Sequence, residues 1–150
     1  MPSSVELIRA STLSSVAEYA YAATAPHDAR LIFLAGACPL SDEGEVEAHG
    51  DYAGQAAICI DNMINALAAA GATIDDVSST RVLVASSAQA DLVAAWKVVR
   101  DAFGDHDVPS TLMGVTVLGY AHQLVEIEAI AAVVEEQVGE SASGQVSVSG

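Results

Sequence analysis

Two carboxylates, Glu126 and Glu128, stand two residues apart in the last regular stretch of the chain, Gln123 to Val134, which reads Q-L-V-E-I-E-A-I-A-A-V-V. The stretch has the two-residue period and β-branched content of a strand. Both acids therefore point to one side, roughly 6–7 Å apart. They share that face with Leu124, Ile130 and Ala132, while Val125, Ile127, Ala129 and Ala131 line the other. Acids on a mainly apolar face have two explanations. Either the face is solvated, or it closes a pocket or an interface where a carboxylate carries a proton or accepts a hydrogen bond.

The other residues able to do chemistry are dispersed. Cys38 and Cys59 fall in a predicted loop and a predicted helix with no C-x-x-C or Cys/His spacing, which indicates neither a disulfide framework nor a zinc site. His27, His49, His106 and His122 lie singly in predicted loops, so no metal is expected. Against 20 acidic residues stand only 5 basic ones, for a net charge of −15. A nucleic-acid binder neutralises phosphates with clustered cations, whereas Arg9, Arg30, Arg81, Lys97 and Arg100 are scattered. The expected partners include no nucleic acid and no membrane. No run approaches the roughly 18 apolar residues of a membrane span, and Met1 to Leu13 lacks a basic start followed by an apolar block. The expected location is cytoplasmic. At 52% hydrophobic residues and a mean hydropathy of +0.40, the chain is more apolar than a solvated monomer needs, which points to oligomerisation.

The elements that must position Glu126 and Glu128 follow from the rest of the pattern. A length of 150 residues suits one domain, taken as residues 1–134, followed by a Ser/Gly/Glu-rich disordered tail over 135–150. Val5 to Ala10 and Glu18 to Thr24 read as a hairpin, and Leu31 to Ala35 as an apolar strand running into Gly36 and Pro39. From Asp51 to Ala70 the period becomes helical and Gly71 ends it. Val77 to Ala85 is a strand. Ser86 or Ser87 caps a second helix bearing Leu92, Ala95, Trp96, Val99 and Phe103, which ends at Gly104. Trp96 and Phe103 are expected to pack against the sheet. Ser110 to Leu118 is a further strand before the closing one. The order β-β-β-α-β-α-β-β predicts an α+β fold, one mixed sheet with two helices on one face. With no third helix, copies of the same subunit are left to cover the other face.

The runs L-A-G-A-C-P-L at 34–40, L-A-A-A-G-A-T-I-D-D-V at 67–77, V-P-S-T at 108–111 and V-E-I-E-A-I-A at 125–131 together resemble the Rid family. These are YjgF-like reactive intermediate deaminases, once described as endoribonucleases or translation inhibitors. The resemblance runs over nearly all of the chain to about Val134. It implies a chorismate-mutase-like α+β fold assembled as a homotrimer, with a central barrel and a small-molecule pocket at each subunit interface. In deaminating members an arginine in a P-x-R motif grips the substrate carboxylate, and a glutamate of the E-I-E-A motif positions the water that hydrolyses an imine or enamine. By this resemblance Glu128 is the catalytic acid, and Tyr19, Gly36, Ala37, Cys38, Thr111 and Met113 are substrate-binding, with the backbone around Gly36 and Ala37 donating hydrogen bonds. Trp96 stands where a polar residue is often found.

The sequence departs from the pattern at one position. After Pro109 and Ser110 comes Thr111, so a single neutral hydroxyl replaces the charged fork, a loss of about 1–3 kcal/mol toward a carboxylate. Two functions remain open: a trimeric hydrolase of a reactive imine or enamine with altered specificity, or a non-catalytic binding or regulatory trimer that has lost deaminase chemistry. Neither requires a cofactor. RNA cleavage is disfavoured by the charge. For Tyr19 a plain interface role, for Cys38 that of a small loop residue and for Glu128 one in subunit packing stand as alternatives.

Overall fold

The computed structural model describes residues 3–135. The expected tail, apart from Glu135, lies outside the described residues. Six strands and two long helices follow the predicted order: β1 Glu6–Ile8, β2 Ala22–Thr24, β3 Arg30–Phe33, α1 Tyr52–Ala69, β4 Val77–Ala85, α2 Gln89–Phe103, β5 Ser110–Val115 and β6 Val125–Val133, with a short 3-10 turn, Ile74–Asp76, before β4. The fold is α+β.

The strands form two sheets rather than the single one expected. β1 and β2 pair only with each other, and the main sheet runs β3-β6-β4-β5, antiparallel except for β4 with β5. The expected second strand is shortened because its first residues leave the ladder. Glu18 accepts hydrogen bonds from Trp96 and Arg100 of α2, and the Tyr19 ring meets Trp96 edge to face. Three residues then remain to pair with β1, too few to extend the main sheet.

α1 starts where Asp51 accepts the Gly54 amide hydrogen bond, a side-chain cap for an otherwise unpaired donor. α2 has no such cap. Its first flanking residue is Ala88, and the Ser86 hydroxyl accepts from the Ala88 amide while donating to Asp91, so neither Ser86 nor Ser87 caps the helix as predicted.

Both helices lie on one face of the main sheet. Cys59, Ile60, Met63 and Leu67 of α1 and Ala95, Val99 and Phe103 of α2 pack against Val82, Val84, Val125, Ile127, Ala129 and Ala131. Each large aliphatic buried there contributes about 1.5–3 kcal/mol. Period-two alternation sends the intervening residues to the other face, which no helix covers. Phe33 is 72% exposed there, Leu31 54% and Ile130 38%.

Candidate functional site

Register places the chemistry on this open face. Arg81 of β4 is the direct partner of Thr111 on β5 and of Glu128 on β6. The three form one row across neighbouring strands, each step about 4.8 Å. The next row has Leu83 of β4 opposite Met113 and Glu126. An isolated bridge between Ala37 and Ile127 brings the 36–38 loop beside Glu126.

Within the first row, Arg81 Nε lies 3.5 Å from Glu128 Oε2 with both side chains well exposed, 58% and 41%. An ion pair so open to water is worth at most about 1 kcal/mol, so it orients the two groups more than it stabilises the fold. The Arg81 side chain makes no hydrogen bond among the described residues, and Glu128 is its one ion-pair partner there. The other arginines are committed: Arg9 to Asp107, Arg30 to Glu135 and the Ala70 carbonyl, Arg100 to Glu18 and Asp101.

The second acid is held differently. Glu126 Oε1 accepts from the Cys38 thiol at 3.0 Å and from the Gln123 amide at 3.3 Å. A Cβ on Gly36 would stand 2.7 Å from the Glu126 carboxyl carbon, so a side chain at residue 36 would push the Glu126 carboxylate out of this position. Burial first, and then the hydrogen bond to and charge of Glu126, push the Cys38 thiol up to about 11. Cys38 is thus a protonated donor and no thiolate nucleophile at neutral pH. Cys59, inside α1, is pushed higher still by its burial.

The structure therefore brings Thr111 and Glu128 into one row, separated by Arg81, and Met113 and Cys38 into the row of Glu126. Gly36 stands against Glu126. The Ala37 amide donates to the Ile127 carbonyl at 2.7 Å, which corrects the expectation that it is available to a ligand. Tyr19 stands apart, beyond the edge strand β5. With Trp96, Ser110, Thr111 and Leu112 it lines a hollow of about 380 Å³, and Thr111 links this hollow to the row. Trp96 is half-buried and walls this hollow as well as touching the core, whereas Phe103 is buried as expected.

Sequence reasoning missed Arg81 as a member of the site. The signal was its parity: Arg81 alternates with the buried Thr80 and Val82, which puts it on the face opposite the core. That β4 lies between β5 and β6 could not be read from the chain. His49 and His122, expected to stand singly, stack with ring centroids 4.5 Å apart. Among the described residues no group of three or more His, Cys, Asp or Glu is placed to hold a metal, and no helix is long and apolar enough to cross a membrane.

The family model for Endoribonuclease L-PSP matches residues 10–133. Among solved structures, the Rid family protein YyfB of Yersinia pestis, whose function is described as unknown, is 25% identical with a TM-score of 0.78, over 87% of this chain and 99% of that one. A Mycobacterium tuberculosis member of the YjgF/YER057c/UK114 family is 28% identical with a TM-score of 0.59, over 87% and 100%. RidA from an Antarctic Psychrobacter, at 20% identity and a TM-score of 0.61 over 80% and 92%, shares the fold. No curated protein matches the chain. With the match spanning most of its length and the same sheet and helices, the chain belongs to the Rid family, the YjgF-like group that carries the Endoribonuclease L-PSP description.

Proposed function

We propose that this protein is a small-molecule-binding hydrolase of a reactive imine or enamine. Three copies pack their open sheet faces into a central barrel, and a site lies at each seam. The observation that carries the reading is Glu128, an acid in mid-strand on a helix-free face, set in one row with Arg81 and Thr111 beside exposed Leu31, Phe33 and Ile130. A second copy over the apolar residues would draw the acid out of bulk water, where a carboxylate becomes a better proton carrier.

The reaction follows from what such an acid does. Glu128 accepts a proton from water as the water oxygen bonds to the carbon of the C=N group. It gives that proton to nitrogen, forming the carbinolamine, and then takes the carbinolamine's hydroxyl proton and delivers it to nitrogen as the C=O bond forms and the C–N bond breaks, leaving a carbonyl compound and ammonia; an enamine enters the same course as its imine tautomer. Positioning and proton transfer supply the acceleration.

A non-catalytic binding or regulatory trimer is favoured by one feature, the hydroxyl of Thr111 at the position where the resemblance implies an arginine. The two readings separate when an amino-acid oxidase generates imines in the presence of the purified protein. The hydrolase reading expects faster ammonia release, reduced about 10²-fold or more in Glu128→Gln. No acceleration over a panel of aliphatic and aromatic imines would leave the binding reading.

A further inference from the structure

We propose that the hollow beside the β5 edge is a binding site for an uncharged flat ring, with Tyr19 and Trp96 as its walls and Thr111 as its polar handle. The inference deepens the reading of Thr111 as a ligand contact, on which it rests. It adds the class of ligand: a neutral aromatic group where the resemblance implies a carboxylate.

The hollow measures about 380 Å³ and is lined by Tyr19, Trp96, Ser110, Thr111 and Leu112. Small-molecule pockets begin at about 300 Å³, so the space suits a single ring with a short substituent. Two aromatic side chains and a leucine supply its apolar surface. No charged side chain lines it.

The polar atoms of the walls are mostly spent inside the protein. Trp96 Nε1 donates to Glu18 at 2.8 Å, and the Ser110 hydroxyl donates to the Val108 carbonyl at 3.0 Å while sharing a 2.7 Å bond with Thr80. The Thr111 and Tyr19 hydroxyls, which make no hydrogen bond among the described residues, are left for a ligand, and both are neutral. An anion brought here would lose water and meet no cation, a cost that an uncharged ring avoids. Of the charged groups bound to the wall, Glu18 repels an anion, and Arg100 is already paired with Glu18 and Asp101. In a chain of net charge −15 the surrounding field adds to that repulsion. A cation gains from the field but finds no carboxylate in the hollow, since Glu18 is held by Trp96 and Arg100.

The walls are set before a ligand arrives. The Tyr19 and Trp96 rings meet edge to face with centroids 6.4 Å apart, and the Tyr19 and Tyr21 rings do so at 5.9 Å. The Ala20 amide donates to the Asp107 carbonyl at 2.6 Å and the Tyr21 hydroxyl to the Ser14 carbonyl at 2.6 Å, which ties down the loop that carries Tyr19. Thr111 comes from β5, whose outer edge pairs with no strand among the described residues, so the approach is open. A recess already ordered in this way receives a flat ring with little further loss of side-chain freedom.

The test is calorimetric titration of the full chain with phenylacetamide, its anionic counterpart phenylacetate, its cationic counterpart 2-phenylethylammonium and the aliphatic amide isovaleramide. Emission of Trp96, the single tryptophan, is followed in parallel. Phenylacetamide is expected to bind about tenfold or more tightly than each of the others and to shift the emission. Thr111→Arg should turn the preference toward phenylacetate, because it adds a charged fork to the lining. Tyr19→Leu and Trp96→Leu should each weaken phenylacetamide about fivefold or more; the Tyr19 variant is the safer of the two, because Trp96 also touches the core. No binding of phenylacetamide to wild type, equal or tighter binding of either ion, or an unshifted preference in Thr111→Arg would overturn the proposal. So would an undiminished affinity in Tyr19→Leu with unchanged circular dichroism. Ring binding without acceleration of imine hydrolysis would sink the hydrolase reading alone, and hydrolysis of imines without ring binding would sink this one alone.

Discussion

Glu18 connects the N-terminal loop to the wall of the hollow, and its protonation can be followed directly. Its carboxyl is held below the ordinary glutamate value by the hydrogen bond from Trp96 first and that from Arg100 second, which together outweigh desolvation. A depressed folded-state value means that the contact is fully present above the unfolded value, near about 4.3, and is lost as pH falls through the folded one. Trp96 is the single tryptophan, so its emission reports this contact. On acid titration the emission is expected to hold through the ordinary glutamate range and change below it, with that step absent in Glu18→Gln. A midpoint at or above about 4.3 would contradict the assignment. At this scale the sequence was partly legible. The two-residue period put Glu126 and Glu128 on one face correctly. It could not show that they have different partners, a thiol and an amide for Glu126 and a guanidinium for Glu128. Those partners come from other strands, and cross-strand register is a property of the fold.

At the scale of elements, strong periodicity translated well and weak periodicity did not. β4 spans Val77–Ala85 as predicted, and α1 covers the helical stripe with Asp51 as its cap. The opening hairpin, three residues a strand with only its central Leu7 packed against the core, stands outside the main sheet, and the contacts of Glu18 and Tyr19 that shorten it are ones no local pattern encodes. Gln55 is the other residue whose role was hidden. It is fully buried on α1, accepts from the Leu124 amide at 2.7 Å and donates to the His122 carbonyl at 2.9 Å, so it ties the helix to the turn that launches β6. That turn sets the register by which Glu126 and Glu128 reach the site. Gln55→Leu leaves both backbone groups without these partners and is expected to cost about 1–3 kcal/mol, read as a lower denaturant midpoint with an unchanged slope. An unchanged midpoint would show that solvent satisfies those groups.

At the scale of the whole molecule the sheet is unbalanced. One face is sealed by two helices and the other offers Leu31, Phe33 and Ile130 to solvent next to Arg81 and Glu128. The need for cover on that face was legible from the count of helices. That copies of the same subunit supply the cover was likewise an expectation from the sequence, whereas the residues that would meet across such a seam were not legible, since a single chain carries no image of its neighbour. Family membership, one uncovered face and charged groups within an apolar surround together support a site completed by other copies of the chain. Light scattering on the purified full chain tests this most directly. The expected mass is three times the 15.3 kDa of one chain. A stable 15.3 kDa particle would contradict it, because Glu128 and Arg81 would then stand in open water with nothing to close over a ligand.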